Sequence, residues 1–249
     1  MIIITGGTHG IGRACVKRLA PRGVVFTGRD VEVGEELAAG LPGAHFVPGD
    51  VVSEQDCRRV VDAALALGSG RLAGLVNNAG MGRRVAFAEA TCEDWDLVMD
   101  VNARSAFLFT RWALAGLCEG RGSVVNVASV AGKIGEEGLA LYCASKGAVI
   151  AMTQALALEF GDKVRFNAVC PGQIDTRMMT KVKLDPVRLS QLELRIPAGR
   201  LGNPEEVADV VEWLLSDRST YVNGAVLTID GGETAGLRTP RLPEGMGPP

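Results

Sequence analysis

Short apolar runs alternate along the chain with longer segments whose apolar residues recur at helical spacing. That alternation predicts βαβ units, and hence a doubly wound α/β fold on a parallel sheet of about seven strands. The strands fall at 2–5, 24–27, 44–48, 72–76, 123–128, 163–169 and 225–229, the helices at 11–20, 31–39, 53–67, 91–118, 142–160 and 204–215. Continuous runs such as Val124-Val125-Asn126-Val127 read as strands covered on both faces. Ser53 before Glu54, and Pro204 after Asn203, mark two clean helix starts. No repeat or linker divides the chain, so residues 1–232 read as one Rossmann-type domain. Two stretches break the rhythm. Residues 171–203 are too long for an ordinary connection and read as a functional loop or lid; residues 233–249 read as a Pro- and Gly-rich mobile tail.

Composition narrows the classes. The chain has 249 residues, 26 Lys+Arg against 29 Asp+Glu, and 47% apolar residues. A formal charge of −3 argues against a nucleic-acid binder held by phosphate contacts. The six cysteines are scattered and only His9 and His45 are present, which points to reduced thiols and no metal site. With no leader-like N-terminus, and an apolar stretch at 147–158 too short to span a bilayer, the expectation is a cytoplasmic protein with no membrane contact. Glycine is the outlier, at 32 residues, so tight turns and close backbone approaches are built in.

Thr5-Gly6-Gly7-Thr8-His9-Gly10-Ile11-Gly12 follows the first strand and opens a helix. Glycines there let backbone approach a pyrophosphate, and the helix N-terminus offers free N–H groups to its charge. The spacing is G-x-x-x-G-x-G rather than the usual dinucleotide fingerprint; a ligand-free tight turn is the alternative. At the second strand end an acid would favour the ribose hydroxyls of NAD, and a base the 2′-phosphate of NADP. Arg29 occupies that place, which favours NADP(H), unless it is a solvated Arg paired with Glu32 or Glu36. Asp30 reads as the cap of the next helix.

Tyr142 and Lys146 stand at i and i+4, on one face of a helix. An ammonium beside a phenol lowers its pKa and suits it to proton transfer at a carbonyl or alcohol. Ser129 ends an apolar strand thirteen residues earlier, where parallel sheets place active residues.

With these motifs in this order the chain resembles the short-chain dehydrogenase/reductases, near their 3-oxoacyl carrier-protein reductase branch. Asp50-Val51, Asn77-Asn78-Ala79-Gly80, Asn102, Pro171-Gly172 and Asp230-Gly231-Gly232 complete the match. The resemblance implies that Tyr142 is the general acid/base and that Lys146 holds the nicotinamide ribose and depresses the Tyr pKa. It gives Ser129 the substrate oxygen, and Asn102 a helix distortion and a water in the proton relay. Asp50 and Val51 would take the adenine, Asn78 the adenosine ribose, and Ile174 and Thr176 the carboxamide. Gly6, Thr8, His9, Gly10, Ile11, Gly12, Ala79, Gly80, Pro171 and Gly172 would line the cofactor. His9 stands where many NADP-using relatives carry Arg or Lys, leaving the phosphate to Arg29. Relatives suggest a homotetramer or homodimer, for which Phe107, Leu108, Trp112 and Leu117 offer apolar surface, if they are not core.

The segment after Gly172 holds Arg177, Lys181, Lys183, Arg188, Arg195 and Arg200 against Asp175, Asp185 and Glu193, a net +3. With Arg83 and Arg84 it could receive an acyl carrier protein or coenzyme A thioester; the alternative is a helix whose charges pair in water. Met178 and Met179 read as a pocket cover or core filler, and Leu139 and Leu141 as an apolar substrate wall. Three functions follow: an NADP(H)-dependent ketoreductase, an NAD-dependent alcohol, sugar or steroid dehydrogenase, and a non-catalytic dinucleotide-binding sensor or scaffold.

Overall fold

The computed structural model describes residues 1–237. Seven parallel strands form one sheet: β1 (Ile2–Ile4), β2 (Val24–Gly28), β3 (Ala44–Pro48), β4 (Gly74–Asn77), β5 (Ser123–Val127), β6 (Arg165–Pro171) and β7 (Val226–Ile229). Their order is β3-β2-β1-β4-β5-β6-β7. The chain winds outward from β1 to β3, then returns to place β4 beside β1. The C-terminal ends of β1 and β4 therefore border the crevice where such sheets take their ligands. The core follows from strand alternation. Ile2, Ile4, Val24, Phe26, Val76, Val125 and Val169 enter a cluster on one face, and Ile3, Val25, Leu75, Val124 and Phe166 one on the other. Each fully buried side chain of this size contributes about 1.5–3 kcal/mol.

The helices are α1 (Gly10–Leu19), α2 (Val31–Ala39), α3 (Glu54–Leu67), α4 (Cys92–Met99), α5 (Ser105–Gly120), α6 (Ala140–Glu159), α7 (Thr180–Lys183), α8 (Pro186–Arg195) and α9 (Pro204–Leu214). α1 packs on α9 over one face and α3 on α5 over the other. Two expectations are corrected. The helix read as 91–118 is two helices, because one π-helical turn over Asp100–Arg104 interrupts the α-helical ladder between α4 and α5. The 171–203 segment is not one loop but carries α7 and α8, the latter started by Asp185, whose carboxylate accepts from the Val187 and Arg188 amides ahead of Pro186. Leu108 and Leu117 lie in the core, whereas Phe107 faces outward. α6 is a 20-residue helix, longer than the apolar stretch suggested, and among the described residues the one long and apolar enough to cross a membrane by length and composition. Of the expected tail, Thr234 is tied to the Asp230 carboxylate at 2.8 Å and 2.6 Å; residues 238–249 lie outside the described residues.

Candidate active site

The glycine turn joins β1 to α1. Gly6 has φ +64°, a left-handed conformation that side chains rarely adopt. A Cβ on Gly12 would stand 2.1 Å from the Gly6 carbonyl oxygen, so only glycine lets α1 begin against the turn. His9 caps α1 without a side-chain hydrogen bond, and the first turn carries no acid. The amides of Gly10, Ile11 and Gly12 thus begin a helix whose positive dipole end meets no carboxylate of its own. Thr8 is buried against Gly28. These features fit a dinucleotide pyrophosphate.

Residues after β4 hold the turn from the other side. The Asn78 amide group donates to the Thr5 and Gly6 carbonyls at 2.9 Å and 3.1 Å, and the Asn78 and Ala79 N–H groups donate to the Thr5 hydroxyl. Both Asn78 amide hydrogens are therefore spent on shaping the turn, and only its Oδ1 is left for a ribose. At the end of β3, the Asp50 N–H donates to Asp56 and its carboxylate accepts from Val52, with Val51 packed on the core. Arg29 is exposed and makes no ion pair with Glu32, Glu36 or any other described residue. Asp30 caps α2 through the Val33 amide, as expected, and also meets His9 Nε2 at 2.9 Å. The His9 hydrogen bond is the main cause holding the Asp30 carboxyl below its ordinary value.

The second half of the site lies where β5 ends and α6 begins. Ser129 leaves β5 with its hydroxyl accepting from Ala131 N–H, and it hydrogen-bonds the Tyr142 phenol. Lys146, one turn along α6 from Tyr142, is buried; its ammonium donates to the Val127 carbonyl at 2.9 Å and stands 5.8 Å from the Tyr142 ring centroid. Burial pushes Lys146 down to about 8, partly offset by Cys170. Burial also pushes the Tyr142 phenol up, and the Ser129 hydrogen bond only partly opposes it. The lowered phenol expected from the Tyr-Lys pair is thus not found, because desolvation by burial is the largest cause at each of the two groups. Gly80 closes in on this group: a Cβ there would be 3.1 Å from Lys146 Nζ and 3.3 Å from Asn102 Oδ1.

Asn102 sits in the π turn, buried. Its Oδ1 accepts from Met81 N–H at 2.7 Å, and its amide donates to the Met81 carbonyl and the Ser145 hydroxyl, each at 2.9 Å. Ser145 in turn donates to the Tyr142 carbonyl at 2.8 Å. Ser145 and Met81 were not singled out from sequence, although Ser145 lies between Tyr142 and Lys146. A second network was also missed. Asn77 donates to Thr110 and Asn126, and Asn126 to Thr153, fastening β4 and β5 to α5 and α6 under the site.

At the end of β6, Pro171 is buried, and just past it the Gly172 N–H donates to the Ile229 carbonyl at 2.9 Å. Ile174 is buried and bridges Gly202 in parallel, and the Thr176 methyl would be 3.1 Å from a Cβ on Gly10. Of the six cations in this segment four are paired: Lys183 with Asp175, Arg188 with Asp185, Arg195 with Glu233 and Arg200 with Glu206. Arg83 pairs with Asp94 and Arg84 with Glu136. Met178 is exposed and is not core filler, while Leu141 is buried, leaving Leu139 the more accessible of the two.

A family model described as enoyl-(acyl carrier protein) reductase matches residues 6–234. The chain is 40% identical over 239 residues to a 3-oxoacyl-(acyl-carrier-protein) reductase of Thermotoga maritima, covering 92% of this chain and 96% of that one. It is 35% identical over 250 residues to a meso-2,3-butanediol dehydrogenase of Serratia marcescens, covering 97% of both. Among solved structures, a short-chain dehydrogenase/reductase of Brucella melitensis, described as glucose/ribitol dehydrogenase, superposes with a TM-score of 0.87 at 32% identity, covering 93% of this chain and 95% of that one.

Proposed function

The chain belongs to the short-chain dehydrogenase/reductase family of oxidoreductases acting on alcohol and carbonyl groups, and on that premise we propose that it reduces a ketone to a secondary alcohol with NADP(H). The observation that carries this reading is the gathering of Ser129, Tyr142 and Lys146 at the ends of the central strands, beside the glycine turn. When bound, the nicotinamide supplies the hydride. Ser129 hydrogen-bonds the substrate oxygen, and Tyr142 donates its phenolic proton to the alkoxide that develops there. A phenol raised by burial is protonated near neutral pH, the state that reduction needs. Lys146 spends one hydrogen on Val127 and directs its others to the ribose and toward Tyr142. Asn102 and Ser145 fix the start of α6 against the Met81 backbone, and hence the place of Tyr142.

Arg29, unpaired at the β2 end, takes the 2′-phosphate. Asp50 and Val51 flank the adenine, Ile174 and Thr176 the carboxamide, and the 171–203 segment acts as the lid over the substrate. Carrier-protein docking has support in the Thermotoga relative's name, but pairing of four of the six lid cations favours a small free ketone. A second reading, oxidation of a diol or sugar with NAD, draws on Asp30 at the β2 end and on the butanediol dehydrogenase relative.

The test is cofactor absorbance with NADPH and NADH in parallel, against a ketone panel that includes a β-ketoacyl thioester and against diols and sugars. NADPH consumption with a ketone is expected. NAD reduction by an alcohol with no ketone turnover would establish the second reading instead. Tight cofactor binding with no turnover in either direction would mark a sensor.

A further inference from the structure

We propose that Arg177 is the second cationic arm of the 2′-phosphate site, reaching from the lid to face Arg29 across Asp30. The inference rests on the NADP(H) reading and names the residue that completes that site. At the end of β2, Arg29 alone supplies a free guanidinium among the described residues. The other base of the glycine turn, His9, is already engaged: its Nε2 lies 2.9 Å from the Asp30 carboxylate, which also caps α2. A phosphate monoester near two negative charges calls for more than one donor fork.

The lid provides one. Thr176 rests on Gly10, so the chain enters its 3-10 turn, Arg177–Met179, directly beside the glycine turn. Arg177 is exposed and has no ion pair among the described residues, whereas Lys183, Arg188, Arg195 and Arg200 on the same segment are each paired. Its charge reaches Asp30, where it adds, behind the His9 and Val33 hydrogen bonds, to holding that carboxyl below its ordinary value. Arg29, the sequence neighbour of Asp30, and Arg177, whose charge acts on Asp30 from the lid, are thus both without an ion pair among the described residues. Asp30 occupies His9 and keeps a negative charge at the strand end, which opposes a phosphate there, so a second guanidinium beside Arg29 is what tips the balance toward the more highly charged ligand.

The experiment titrates NADPH, NADH, 2′,5′-ADP and 5′-AMP into the full chain and into Arg177→Gln and Arg177→Lys, reading binding by fluorescence or calorimetry. Arg177→Gln is expected to weaken NADPH and 2′,5′-ADP about ten-fold, the scale of one charge-assisted contact, and NADH and 5′-AMP less than about two-fold. Arg177→Lys keeps the charge but loses the fork, and recovers part of the loss. Equal weakening of NADPH and NADH would assign Arg177 to the pyrophosphate and overturn the proposal, as would no change at all. The wild-type preference is a separate readout. Tighter NADH than NADPH in the unaltered chain defeats the NADP(H) reading, while the change in the 2′,5′-ADP to 5′-AMP ratio in Arg177→Gln still decides for or against Arg177.

Discussion

Where β1 and β2 end, the candidate site is made of main chain and exposed charge; where β5 ends and α6 begins, it is made of buried polar side chains. Gly6, Gly12 and Arg29 have almost no side-chain hydrogen bonding, and what they offer is space, amides and a free cation. Asn102, Ser145, Ser129 and Lys146 are buried and joined by hydrogen bonds to one another or to backbone. The contrast separates recognition from chemistry. A group that catches a phosphate works while solvated and is neutralised only on binding. A group that moves a proton must have its pKa set beforehand, and burial is what sets it.

Four substitutions probe that contrast. Tyr142→Phe, at the buried end, should cut turnover about 10²–10⁴-fold, as loss of a general acid does, while cofactor affinity is unchanged; initial rates beside equilibrium titration check both halves. Lys146→Met should also lose turnover yet not lower thermal stability near pH 7. The Lys146 ammonium falls to about 8 in the fold, below its ordinary value of about 10.4 when unfolded, so the folded state disfavours its charged form by about 3 kcal/mol. Stability from this group therefore rises as pH climbs from about 8 toward 10.4, where the unfolded chain holds the extra proton. Thermal melts across that window should show the rise in the wild type and its absence in Lys146→Met. At the exposed end, Arg29→Ala should weaken NADPH about ten-fold and leave NADH nearly untouched, read by the same titrations.

The smallest effect is expected at Arg200→Gln, which breaks an exposed pair with Glu206 at 2.7 Å. The Arg200 hydrogen bond holds Glu206 down to about 2, so the pair's contribution is present above the ordinary carboxylate range and disappears as pH falls through about 2. Solvent screening leaves it at most a small shift of the urea unfolding midpoint at neutral pH. A larger loss there would mean that exposure does not separate the two kinds of group.

The same contrast explains what could be read from sequence. Strand positions and the glycine turn were legible because apolar runs and glycine spacing are local signals, and Tyr142 with Lys146 because one helical turn links them. The π turn was hidden from periodicity, since Asp100–Arg104 carries the same mixed polarity as the helices around it, and only the resemblance, through Asn102, implied a distortion there. The network of Asn77, Thr110, Asn126 and Thr153 joins residues up to 49 positions apart, and only the folded sheet brings them together. α8 did carry its signal, Asp185 followed by Pro186, but the segment read as a loop or lid, with a helix whose charges pair in water only as the alternative, and that alternative is what α8 is. The fall in the Tyr142 phenol failed as an expectation for a similar reason: the adjacency of Lys146 is visible in sequence, and the loss of water around both is not.

The bridge between Ile174 and Gly202 brings together the two points where the chain leaves and rejoins the frame. The Asp175 N–H donates to the Gly202 carbonyl and the Gly202 N–H to the Gln173 carbonyl, at 2.8 Å and 2.9 Å, so the intervening residues hang from a closed clasp. Doubling the length of such an excursion costs only about 0.6 kcal/mol in closure entropy. Apart from Thr176 and Arg177 at its start and the Arg195–Ala198 contacts to Gly231–Glu233 at its end, the clasp makes the stretch between it an interchangeable cassette: insertions, deletions and rewritten sequences can be tried there over generations without disturbing the strand ends beneath. A scaffold of this kind diversifies by swapping its roof while inheriting its floor.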